Sequence, residues 1–188
     1  MDAHREEHGA AEHGCAAKRG MTVISDYLSF RNALHTDHPA QDRADKMSLY
    51  GWLIGDWAMD AIIHRDDGAR HADRGEIHFG WVLEGRAIQD VWILPGIFHG
   101  TTLRVYDPSL DAWHILWIDP LRQFYVRQIG RARGKDIVQE GSDDAGGRTR
   151  WSFTEIAPHS FRWLGERSAD GGATWHLQAD FHARKVAA

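Results

Sequence analysis

Between Trp57 and Phe181 the apolar residues recur at every second position, in about ten short segments parted by Gly, Pro and Asp. A period of two belongs to strands that turn one face to a core. Trp57, Met59, Ala61 and Ile63 make the first such face, and Ile77, Phe79, Trp81 and Leu83 the second. Trp113, Ile115 and Trp117 follow, then Trp151 with Phe153, Phe161 with Trp163, and finally Trp175, Leu177, Ala179 and Phe181. Seven of the nine Trp stand at odd positions (57, 81, 113, 117, 151, 163 and 175). Short strands joined by Asp107-Pro108, Asp119-Pro120 and the Gly141 to Arg148 tract, with no helix between them, indicate a sandwich or a barrel. Indoles gathered on one parity favour the barrel, because every strand then shares one interior. The expected fold is mostly β: a closed antiparallel up-and-down β-barrel of about 8–10 strands, led by one or two short helices.

Helical periodicity is confined to the stretch before the strands. Val23, Tyr27, Leu28 and Phe30 give an imperfect stripe, and Asn32 to His38 reads as a break. Pro39 suits the first turn of a second helix over Ala40 to Leu49. Residues 1–20 are polar and poor in large apolar side chains, which predicts a disordered tail. His4, His8, His13 and Cys15 lie there, but their spacing fits no closed zinc pattern. The expected organisation is a tail over 1–20, a helical lead-in over 21–52 and a barrel domain over 53–188.

Composition limits the partners. A net charge of -5 argues against a nucleic-acid surface and against an anionic membrane. One cysteine, Cys15, cannot close an internal disulfide, and no apolar run reaches the roughly 18 residues of a membrane span. The N-terminus lacks the apolar stretch of a signal peptide, so a cytoplasmic protein is expected. No metal is expected, and no cofactor: there is no His-x-x-x-His or Cys-x-x-Cys in the barrel, no Gly-rich phosphate loop and no serine elbow. Haem would need an inward histidine, and His78, His99 and His114 are not clearly placed to serve.

Gly55-Asp56-Trp57, at the start of the first strand and after a short helical turn, resembles the Gly-x-Trp signature of lipocalins and other calycins. Together with LEGRAIQDVWI and SADGGATW, the region from Leu53 to Arg184 looks like an uncharacterised family of bacterial lipocalin-like proteins. The resemblance implies the barrel and a general binding role. It also implies a basic residue near the end of the last strand packed on Trp57, with Arg184 in that place and Lys185 as the alternative. A second motif, Ser168-x-Asp170-x-Gly172-x-Thr174-Trp175, matches the Asp-box of sialidase propellers. A propeller needs repeated blades, and this chain has one copy. The motif is read as a tight hairpin in which Asp170 accepts backbone hydrogen bonds and Trp175 anchors the turn to the core.

If odd positions point inward, the lumen is lined by Trp81, Leu83, Trp113, Trp117, Trp151, Phe153, Trp163 and Trp175, with Gln89, Gln128 and Glu155 as its few polar groups. Mostly apolar walls with a few fixed polar groups suit a small-molecule site. Three readings follow: binding of a small hydrophobic or aromatic molecule, acid–base catalysis of a lyase, isomerase or cyclase type without a cofactor, and a structural or homodimer-forming barrel with a filled interior. Glu155 among indoles would have a raised pKa and could serve as an acid or base; at a strand end it would instead meet water. His114 and Tyr125 are the other catalytic candidates. The face carrying Glu84, Arg86, Asp90, Arg104, Tyr125 and Arg127 would form a buried polar network if the parity were inverted, but it is expected to be solvated, since burying so many charges is costly.

Overall fold

The computed structural model describes residues 29–187. The tail and most of the expected first helical stripe lie outside them. The chain forms α1 (Phe30–Leu34), β1 (His35–Thr36), a 3₁₀ turn (Gln41–Arg43) and α2 (Ala44–Gly51). Ten strands follow: β2 (Gly55–His64), β3 (Arg70–Val82), β4 (Ala87–Leu94), β5 (Phe98–Asp107), β6 (Ala112–Asp119), β7 (Phe124–Arg133), β8 (Asp136–Asp143), β9 (Arg148–Ala157), β10 (Ser160–Ser168) and β11 (His176–Lys185). Each pairs antiparallel with its chain neighbour, and β11 pairs back onto β2. The result is the closed ten-stranded up-and-down barrel that the alternation predicts.

The lead-in differs from expectation. Residues 32–34, read as a break, belong to α1, because the Ser29 hydroxyl caps it by accepting from the Asn32 amide at 3.3 Å. The second helix begins later than Pro39, because the Ala40 amide donates to the Gly85 carbonyl at 3.0 Å and holds that residue extended. β1 then continues the β2 edge past Gly55, pairing His35 with Val82 and Thr36 with Trp81.

Inward residues are odd on β2, β3, β6, β8, β9, β10 and β11, but even on β4, β5 and β7. The cause is loop length. Cross-strand partners share a face, so a hairpin that pairs an even with an odd residue inverts the parity. Val82↔Ala87 does so between β3 and β4, Asp107↔Ala112 between β5 and β6, Asp119↔Phe124 between β6 and β7, and Arg133↔Asp136 between β7 and β8.

The interior has two storeys. At one end α2 closes the barrel with Met47 and Tyr50, joined by Leu53 from the turn that follows, all fully buried. The Tyr50 ring meets Trp113 edge-on at 5.0 Å and Phe153 at 6.2 Å, and Trp52, Trp57 and Phe161 extend the cluster from Phe153. A buried aromatic side chain removes about 200 Å² from water, worth about 5 kcal/mol at 25 cal/mol per Å², so this plug is a large share of the fold's stability. The Gly-x-Trp triplet sits here. Gly55 adopts φ +119°, which favours glycine, and the Trp57 indole N–H donates to the Leu53 carbonyl at 2.7 Å.

Candidate functional site

The opposite storey is open. The turns β2–β3, β4–β5, β6–β7, β8–β9 and β10–β11 surround a cavity of about 780 Å³. Its walls are Trp92 from β4, Phe98 from β5, Trp117 from β6, Phe124 from β7, Trp151 from β9, Trp163 from β10 and Phe181 from β11. These rings support one another: Trp163 stacks on Phe181 at 5.1 Å and 17°, and meets Trp92 at 5.4 Å and Trp151 at 5.5 Å. Gly165 leaves room for this arrangement, since a Cβ there would stand 2.9 Å from the Trp163 ring.

Polar groups occupy the inner and outer limits of the cavity. Thr102 and Arg104 lie on its wall from β5. Arg104 is fully buried and pairs through Nη1 with Asp90, whose other oxygen accepts from the Thr102 amide at 2.8 Å. The guanidinium lies 5.5 Å from the Tyr50 and Phe79 ring centroids and 5.7 Å from that of Phe153, so it stands between the plug and the open storey. Burial pushes the Tyr50 hydroxyl well above its ordinary pKa, against the pull of Arg104. At the mouth Arg122 donates to Asp119 at 2.7 Å and Arg167 to Asp143 at 2.6 Å. Burial alone would raise the Asp143 pKa, but Arg167 and the Gly147 amide overcome it and hold the carboxyl below its usual range.

The structure divides the residues nominated from sequence. Trp117, Trp151 and Trp163 line the cavity. Trp81, Trp113 and Phe153 face inward but belong to the closed storey, where the Trp81 ring lies over Gly51. Gln128 is buried and donates to the Thr149 hydroxyl at 2.8 Å, away from the cavity wall. Leu83 is instead exposed in the β3–β4 turn at φ +53°, and Gln89 faces outward and donates to the Thr101 hydroxyl at 3.1 Å. Glu155 is also outside: a bulge in the β9–β10 register puts it at φ +51°, exposed and paired with Arg162 at 3.1 Å. His114 lies on the outer face, its Nε2 3.0 Å from Asp107. That contact and the Ser109 hydroxyl hold the Asp107 carboxyl down at about 2. Tyr125 is exposed and donates to Gln123. The three catalytic candidates therefore share no site.

Two structural assignments are corrected as well. Arg184 points away from Trp57 and pairs with Asp60; Lys185 takes the indole, its Nζ 5.2 Å from the ring centroid. Asp170 does staple the β10–β11 hairpin, accepting from the Thr174 amide at 2.9 Å and hydroxyl at 2.6 Å. Trp175, however, lies outside the core beneath the Arg150 guanidinium, 4.1 Å from its centroid. The supposedly solvated charged face also splits. Asp90 and Arg104 are buried, whereas Glu84, Arg86, Tyr125 and Arg127 are exposed. The parity inversion of β4 and β5 concealed Trp92, Phe98, Thr102 and Arg104 from the sequence reading, and the even-odd pairing at the β3–β4 hairpin is the signal that would have found them.

These features define the class: a closed, ten-stranded, up-and-down antiparallel barrel, plugged by a helix at one end and open to an aromatic cavity at the other. No family model matches the chain, and no curated protein matches it. Among solved structures it is similar to a structure of EF1p2_mFAP2b bound to DFHBI, at 12% identity, over 75% of this chain and 99% of that one, with a TM-score of 0.36. No helix of the described residues is long and apolar enough to cross a membrane.

Proposed function

We propose that this protein binds a small, flat, mostly apolar molecule in the open storey of the barrel. The observation that carries the reading is the cavity of about 780 Å³ walled by four indoles and three phenyl rings. Such a volume suits a drug-sized ligand, and its few buried polar groups suit orientation of that ligand. The filled-interior reading describes only the plugged storey. The acid–base reading has lost its nominated residues to the outer surface. The composition and the Gly-x-Trp triplet support a cytoplasmic member of a bacterial lipocalin-like family, acting without nucleic acid or membrane.

Titration with N-phenyl-1-naphthylamine, a neutral probe that brightens in apolar surroundings, tests this. Fluorescence should rise saturably with one site per chain. Ala179→Trp, which projects an indole into the cavity from β11, should weaken binding at least about tenfold. A linear, non-saturating signal, or one indifferent to Ala179→Trp, would refute the proposal.

A further inference from the structure

The proposed binding reading can be taken one step further, to the chemistry of the ligand. Three cavity-lining side chains carry buried nitrogens that find no hydrogen-bond partner among the described residues, His64 Nε2, Trp92 Nε1 and Arg104 Nε, and the last two, Trp92 and Arg104, are obligate donors. A buried donor without a partner costs free energy, and a ligand oxygen that supplies one recovers it. Both belong to neighbouring strands β4 and β5, on the wall that also bears Thr102. The inner end of the ligand is therefore asked for an acceptor.

Charge decides what kind. Arg104 is already neutralised by Asp90, which stands behind it and off the cavity wall. A carboxylate entering here would set two anions against one guanidinium among aromatic rings, where repulsion is poorly screened. The mouth offers no net positive charge to compensate. Arg122 and Arg167 are bound to Asp119 and Asp143, and the other charged wall residues are Arg65, Asp66 and Asp144. A formally neutral acceptor avoids that repulsion and still meets the donors, with the guanidinium turning toward it while Nη1 keeps Asp90.

We infer that the natural ligand is a neutral aryl carbonyl compound, of the aryl ketone, quinone or lactone kind, whose rings lie among the indoles and whose carbonyl oxygen is held at the inner end by Arg104 and Trp92. The inference rests on the cavity-binding reading, and the following measurement separates the two.

Three naphthalenes of similar shape serve as probes in calorimetric titrations of the full chain at pH 7: 2-acetylnaphthalene, 2-ethylnaphthalene and 2-naphthoate. The ketone should bind about tenfold more tightly than the hydrocarbon, although the hydrocarbon is the more apolar, and the carboxylate should bind weakest. Trp92→Phe removes one donor while keeping an aromatic ring, and should cut the ketone's advantage severalfold with little change for the hydrocarbon. Asp90→Asn keeps the shape but frees the charge of Arg104, and should raise 2-naphthoate above the ketone. Should that variant fail to fold, Trp92→Phe still decides. Equal binding of ketone and hydrocarbon, a wild-type preference for the carboxylate, or a ketone advantage untouched by Trp92→Phe overturns the inference and leaves the cavity reading standing. Binding of none of the three overturns the cavity reading itself.

Discussion

Replacing Gly130 with alanine would set a methyl carbon 2.3 Å from the Tyr50 hydroxyl oxygen and 3.3 Å from Ile115 Cδ1. The first distance is about 1 Å shorter than a carbon and an oxygen tolerate. Tyr50 cannot yield easily. It is fully buried, lies edge-on to Trp113 at 5.0 Å and to Phe153 at 6.2 Å, and belongs to α2, which closes the barrel. Gly130 is not in a positive-φ conformation, so the penalty is steric. Overpacking of this kind costs about 1–3 kcal/mol. At about 2–4 °C per kcal/mol for a chain of this size, Gly130→Ala should lower Tm by about 2–12 °C. The same oxygen has no hydrogen-bond partner among the described residues. Tyr50→Phe removes it together with its desolvation penalty, and should be neutral or stabilising by about 1 kcal/mol. The two changes must therefore couple: in the double variant the methyl group enters the space left by the hydroxyl, and most of the loss disappears. Urea unfolding followed by tryptophan emission, completed as a double-mutant cycle, should return a coupling energy of about 1–2 kcal/mol. If the two effects simply add, Gly130 is not making room for Tyr50 and the steric account of the plug is wrong.

Strand existence was legible from the sequence because alternation and turn residues are local signals. The ten barrel strands match the number expected, and β8 runs to Asp143, inside the Gly141 to Arg148 tract that the sequence marks as a turn. Which side chains share the lumen was less legible, because facing depends on each hairpin's register. One constant parity was assumed, whereas the β3–β4 and β6–β7 hairpins invert it and the β9–β10 bulge ejects Glu155. Odd-parity indoles thus included both plug and cavity residues, while Trp92 and the Asp90–Arg104 pair were read on the wrong face. The distinction between the storeys was not local at all. It arises from α2, a short and weakly amphipathic helix that enters one end of the barrel and leaves the other open. The filled core and the cavity are thereby separated in space: the Tyr50–Trp57–Trp113 storey is tightly filled while the Trp92–Trp163–Phe181 storey stays open.

Two further perturbations test the ends of the barrel separately. Lys185 is the direct cross-strand partner of Trp57, whereas Arg184 is that of Ala58 and faces outward. Lys185→Met should therefore cost about 0.5–2 kcal/mol through the lost cation–π contact, and Arg184→Met about 0–1 kcal/mol, as for exposed ion pairs; a larger loss for Arg184 in urea titrations would return the sealing role to it. At the mouth, the Asp143 carboxyl is held below its ordinary pKa, so its contribution is present above the unfolded-state value of about 4 and is lost as pH falls through the lower folded-state value. Asp143 joins the β8–β9 turn to β10 through Arg167 and the Gly147 amide. Acidification below about pH 4 should therefore loosen the cavity rim, seen as faster amide exchange at Gly147 and weaker binding of N-phenyl-1-naphthylamine, and Asp143→Asn should show both effects already at pH 7. Exchange at Gly147 that is no faster in Asp143→Asn than in the wild type would show that the rim is held by something other than this carboxylate.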